Sequence, residues 1–144
     1  MPEGIKELVC PILKEELIPA LGCTEPIAIA YACAKAKEVL GAFPEKMTVC
    51  CSGNIVKNVK GVVVPNTVNL KGIKTAAVMG VVCGDASKGL QVIAGSTAQD
   101  VAQVKELLKS DLCKVELRSG RFWNRLKIRF SCRSSASIPT LRKL

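Results

Sequence analysis

Residues 24–40, TEPIAIAYACAKAKEVL, form a nearly uncharged, alanine-rich run, and a second apolar run follows from about Ile73, GIKTAAVMGVVCGDASKGLQVIAG. Both read as helices built on small side chains, and in the second Gly80 and Gly84 allow close helix contacts. The first has clear ends. Cys23 or Thr24 caps it, and Pro26 falls in the first turn, where a missing N–H costs nothing. Gly41 stops it. With 49% hydrophobic residues but only 3% aromatic, the core must be made of Ala, Val, Ile and Leu. A chain of 144 residues is long enough to bury one such core as a single domain.

The remaining elements follow from periodicity and turn chemistry. Residues 4–17, GIKELVCPILKEEL, read as an amphipathic helix that Pro11 kinks or breaks. Met47–Cys51 (MTVCC) is a short strand, and Cys113–Leu117 (CKVEL) alternates like an edge strand. Ser96–Gln99 (STAQ) matches a capping box that opens a helix to about Ser110. Between them, 52–72 is the stretch richest in glycine and asparagine, and helix is expected to resume only at about Ile73. The expected class is α+β with helix dominating.

Charge divides the chain. Residues 1–117 hold 13 Lys, 12 acids and no Arg, a net +1; residues 118–144 hold six Arg, two Lys and no acid, a net +8. The tail, RSGRFWNRLKIRFSCRSSASIPTLRKL, also carries three of the five aromatics. One reading makes it a basic arm for an acidic partner such as RNA. The other makes it a non-native or disordered terminus, and a body without arginine joined to an arginine-rich tail favours that reading. The expected boundaries are therefore 1–117 and 118–144.

Several classes of function drop out. With no histidine in the chain, Ser-His-Asp and Cys-His catalysis and His-bearing zinc sites are excluded. The eight cysteines form no CxxC pair, and a chain of this size and apolarity needs no disulfide staples. Cys10, Cys33 and Cys83 sit on apolar stretches and are expected as small buried hydrophobes. No phosphate-loop pattern occurs. No window approaches the roughly 20 apolar residues of a membrane span, and MPEGIKELVCPILKEEL is not a secretory signal. The expected address is the cytoplasm.

Three short stretches could carry chemistry. In Gly22-Cys23-Thr24-Glu25-Pro26 a thiol sits at a helix mouth, where the dipole favours an anion and pushes cysteine toward thiolate. Glu25 is either a dipole-complementing cap or an acid–base partner. In Ser52-Gly53-Asn54, with Lys57 and Asn58, a strand ends in a hydroxyl, backbone N–H groups and amides suited to a carboxylate, with Lys57 as countercharge. Val64-Pro65-Asn66-Thr67 is a rigid stretch ending in a turn.

Taken together, GCTEPIAIAYACAKAKEVLG, SGNIVKNVKGVVVPNT and GIKTAAVMG…CGD…KGLQVI resemble the L-cysteine desulfidase and L-serine dehydratase alpha-chain family, iron–sulfur-dependent amino-acid β-eliminating lyases. The resemblance runs from about Ile5 to Leu117 and implies the N-terminal part of a serine dehydratase alpha-chain-like fold. It implies a [4Fe–4S] cluster with one open iron acting on the leaving group while a base removes the α-proton. Pyruvate and ammonia then form with sulfide or water, and no pyridoxal phosphate is used. Mapped here, Cys23 is the base or a cluster-side thiolate, with Glu25 beside it and Thr24 shaping the loop. Ser52, Asn54, Lys57 and Asn58 hold the substrate carboxylate, with Asn66 and Thr67 nearby. The family's other cluster cysteines lie in a C-terminal half that this chain does not carry, so the cluster is not expected on this chain alone. The expected partners are a small amino-acid substrate and either a second copy of the chain or a complementing C-terminal chain. No membrane and no nucleic acid are expected as partners under this reading.

Overall fold

The computed structural model describes residues 3–118 and 126–131. Five α-helices, a 3-10 segment and three strands follow one another in the order α1 (Glu3–Glu16), α2 (Thr24–Leu40), β1 (Lys46–Ser52), α3 (Gly53–Val59), α4 (Gly72–Cys83), a 3-10 segment (Ala86–Gln91), α5 (Ala98–Lys109), β2 (Cys113–Arg118) and β3 (Leu126–Ser131). The class is α+β, as expected. No helix among the described residues is long and apolar enough to cross a membrane.

α2 and α4 form the centre of the fold. α4 is apolar on nearly every side and buries Ile73 and every residue from Thr75 to Val81. Gly80 lets it lie directly on the backbone of α2: a Cβ there would sit 2.8 Å from both the Cα and the carbonyl carbon of Ala30. At Gly84 a Cβ would come 2.7 Å from the Cβ of Ala34. Small residues thus bring two helices into backbone contact, as the glycine spacing predicts. The helical run ends sooner than expected, however. Gly84 is the C-cap of α4, and the 3-10 segment that follows is broken at Gly89, with a φ of 53°.

The sheet has the order β2-β1-β3. β2 lies parallel to β1 with Met47 opposite Cys113, a pairing that needs a long crossover, supplied here by α3, α4 and α5. β3 runs antiparallel to β1 with Val49 opposite Ile128 and Met47 opposite Phe130. Residues 126–131 lie in the stretch assigned above to a non-native or disordered tail, yet they complete the sheet and bury Ile128 and Phe130 in the core. Alternation of apolar Leu126, Ile128 and Phe130 with polar neighbours explains why this piece is a strand. The rest of 119–144 lies outside the described residues.

Three other expectations shift. A helix comes earlier than about Ile73: Gly53–Val59 is helical, with Ser52 as N-cap and Val59 buried. The capping box falls one residue later than read. Thr97 caps α5, its hydroxyl accepts from the N–H of Asp100 at 3.3 Å, and the Asp100 carboxylate accepts from the N–H of Thr97 at 2.8 Å. Aspartate at that position closes the box that glutamine was expected to close. Cys10 is exposed, because α1 is not among the elements that pack together to form the core; Cys33 is buried as expected and Cys83 is half-buried. All seven described cysteines are free thiols.

Candidate functional site

The mouth of α2 is built by a turn that only a glycine fits. Gly22 has a φ of 73°, in the left-handed region that side chains disfavour, and a Cβ there would meet the Pro65 ring at 2.9 Å. The GCTEP turn therefore rests on the VPNT turn, joining the first and third stretches. Cys23 follows in extended conformation as the N-cap of α2, and its side chain does not cap the helix. It points instead to Glu25: the thiol donates to Oε2 at 3.1 Å.

Glu25 is the hub. Oε2 also accepts from the Thr24 hydroxyl at 3.2 Å, and Oε1 accepts from the side-chain amide of Asn58 at 3.2 Å. Asn58 comes from α3, so this contact joins the first stretch to the second. Pro26 and Ile27, immediately beyond, are buried and anchor the turn, while Cys23 and Glu25 stay half-buried and reachable from solvent.

These bonds fix the protonation states. The hydrogen bond to Glu25, helped by partial burial and the carboxylate's charge, holds the Cys23 thiol above its ordinary value. The same bond, with donors from the helix backbone, Thr24 and Asn58, holds the Glu25 carboxyl below its ordinary value. At neutral pH the pair is thiol and carboxylate. This corrects the expectation of a thiolate favoured by the helix dipole: the thiol gives its hydrogen to a side-chain anion, and the negative charge of the pair resides on Glu25.

The other expected residues divide into two groups. Ser52, Asn54 and Lys57 share the β1–α3 junction with Asn58. Ser52 is buried at the strand end, Asn54 is half-buried, both make polar contacts, and Lys57 is exposed. Asn66 and Thr67 are committed to structure. Asn66, at a φ of 60°, donates to the carbonyl of Ile93 at 3.3 Å. Thr67 is buried, and its hydroxyl lies 2.6 Å from the Val64 carbonyl and 3.2 Å from that of Leu70, closing its own turn. Asn58 was expected on a substrate carboxylate and instead orients Glu25. The two positions are 33 residues apart, and no local pattern announces the contact.

The resemblance above implies an iron–sulfur cluster, and the donor set can be tested against it. Cys23 is the one described thiol at this mouth; Cys33, Cys51 and Cys113 lie in the core. No group of three Cys, Asp or Glu among the described residues is arranged to hold a metal ion. These residues do not fit a cluster held by this chain alone.

No family model matches the chain, and no solved structure matches it. Curated proteins do. A UPF0597 protein of Lachnoclostridium phytofermentans is 57% identical over 105 residues, which are 73% of this chain and 25% of that protein. A UPF0597 protein of Finegoldia magna is 55% identical over 109 residues, 76% of this chain and 26% of that protein. The chain is homologous to UPF0597 proteins. It spans about a quarter of the length of these relatives. A UPF0597 protein of Fusobacterium nucleatum, 45% identical, matches over 124 residues or 85% of this chain. That share is larger than residues 1–117 make up, so similarity to this UPF0597 protein extends past the boundary expected at Leu117. The names of these UPF0597 relatives state no activity.

Proposed function

We propose that the chain carries the proton-handling part of a lyase that β-eliminates L-cysteine or L-serine. The observation that supports this reading is the convergence of Cys23, Thr24 and Asn58 on the Glu25 carboxylate at an open helix mouth. Elimination from a small amino acid needs a base for the α-proton and a donor for the departing group. A thiol and a carboxylate 3.1 Å apart form a pair between which one proton can move.

The steps assigned to these residues are few. The Cys23 proton passes along its hydrogen bond to Oε2 of Glu25, and the resulting thiolate takes the substrate α-proton. The carbanion's electron pair forms the Cα–Cβ double bond as the β-substituent leaves with its own bonding pair. Glu25 gives the proton it received to the leaving sulfur or oxygen, which departs as sulfide or water, and Cys23 keeps the α-proton, so the thiol and carboxylate are restored. The aminoacrylate product then takes up water and yields pyruvate and ammonia. Asn58 and Thr24 hold the carboxylate in line for the first transfer, and Lys57, beside Asn58 on α3, meets the substrate carboxylate. No step is assigned to a cluster, since the described donor residues do not fit one.

Anaerobic reconstitution with iron and sulfide, followed by assay of pyruvate and sulfide from L-cysteine and pyruvate from L-serine, tests the proposal. Turnover that disappears in Cys23→Ala and Glu25→Gln supports it. Absence of turnover from the chain, both alone and supplied with the remaining length of a UPF0597 relative, refutes it.

A further inference from the structure

Four of the described lysines are ion-paired, and among the exposed ones that are not, four share a stretch of chain without acids. Lys35, Lys88, Lys109 and Lys114 each pair with a carboxylate within 3.5 Å. Lys57, Lys60, Lys71 and Lys74 are exposed and have no acidic partner among the described residues. The reason lies in the sequence: residues 46–84 hold five lysines and not one acid. The fold then gathers four of them. Lys57 and Lys60 lie one turn apart at the end of α3, and the bridge between Val63 and Lys71 folds the next segment back to the start of α4, where Lys74 follows.

Lys57, at one edge of this unneutralised charge, immediately precedes Asn58, whose amide touches Glu25. We infer that these four lysines form an electrostatic funnel that draws small anions, carboxylate first, to Cys23 and Glu25 and turns away cations. Uncompensated charges of one sign beside a cleft raise the local concentration of the opposite charge, and salt removes the effect. The inference rests on the proposed site for its biological meaning: it makes the substrate class amino acids with a free carboxylate and no cationic side chain. The field itself is independent of catalysis.

Cys23 is a built-in reporter of that field. In a Cys10→Ser background, which removes the one described thiol that is exposed, its alkylation is measured with anionic iodoacetate and neutral iodoacetamide. The ratio of the two rates cancels differences in thiol ionisation. The funnel predicts a ratio that falls as salt rises from 20 to 500 mM, and a low-salt ratio lowered about threefold or more in Lys57→Glu/Lys60→Glu. The neutral pair Lys57→Gln/Lys60→Gln should fall between, with a melting temperature near that of the parent. A ratio insensitive to both salt and lysine reversal overturns the inference. Failure of the lyase assay with a salt-sensitive ratio would remove the proposed reaction and leave the funnel standing.

Discussion

Gly80→Ala tests the packing on which the whole site rests. The added methyl carbon would lie 2.8 Å from the Cα and carbonyl carbon of Ala30, and closer still to its carbonyl oxygen. Nonbonded carbons sit at about 3.5–4.0 Å, so α2 and α4 must separate by roughly 1 Å or distort. Overpacking of this kind costs about 1–3 kcal/mol, and here the obstruction is backbone that cannot rotate away, so the upper end or somewhat more applies. Removing a helix-interior glycine returns about 1 kcal/mol. The net expectation is a loss of about 2 kcal/mol, or roughly 8 °C in melting temperature for a domain of this size. Gly53→Ala is the control: nothing lies within 4 Å of its Cβ position at the start of α3, and a stabilisation of about 0.4–1 kcal/mol is expected. Urea melts followed by circular dichroism measure both. A Gly80→Ala protein as stable as its parent would refute the close α2–α4 crossing.

Further outcomes follow from particular residues. Thr97→Ala removes the hydroxyl leg of the α5 capping box, leaving the Asp100 carboxylate on the backbone N–H of residue 97, and should cost about 1 kcal/mol in the same urea assay. Burial pushes the Cys51 and Cys113 thiols up to about 11. The folded chain therefore keeps protons that the unfolded chain releases near its ordinary thiol value, so stability is full below pH 9 and falls as pH rises toward 11. Cys51→Ala/Cys113→Ala should flatten that decline, and an unchanged pH slope would count against it. On α1, Ile5, Leu8, Ile12 and Leu13 form an exposed apolar stripe at helical spacing. Leu8→Gln/Ile12→Gln should lower binding of an apolar dye while leaving the melting temperature within about 2 °C, because α1 lies outside the core. Glu25→Gln removes the carboxylate that holds the Cys23 thiol up, so in the Cys10→Ser background its iodoacetamide rate at pH 8 should rise.

Much of the fold can be read locally. Pro26 and Gly41 bracket α2, MTVCC and CKVEL become β1 and β2, and Gly80 and Gly84 mark the helix crossing, because each signal acts within a few residues of itself. The misreadings arise where long-range packing decides. Gly53 and Asn54 argue against a helix, yet packing on β1 and burial of Val59 hold α3 in place. Arginine and aromatic content hid β3, although Leu126, Ile128 and Phe130 alternate as a strand should. Cys10 has the pattern of a buried residue, but it lies on a helix that is not among the elements packed together as the core. At the site, the GCTEP turn and its thiol are legible, but the direction of the thiol's hydrogen bond is not. That direction depends on Glu25 being fixed by Asn58 from a separate helix, and it reverses the expected ionisation.

The central claim is that a small amino acid binds at the Cys23–Glu25 pair. Substrate protection tests it most directly: iodoacetamide alkylation of Cys23 is followed by mass spectrometry in the Cys10→Ser chain, with and without saturating L-serine. The account predicts slower alkylation with L-serine, no protection by L-lysine, and loss of the L-serine effect in Glu25→Gln. Equal rates with and without L-serine would contradict it.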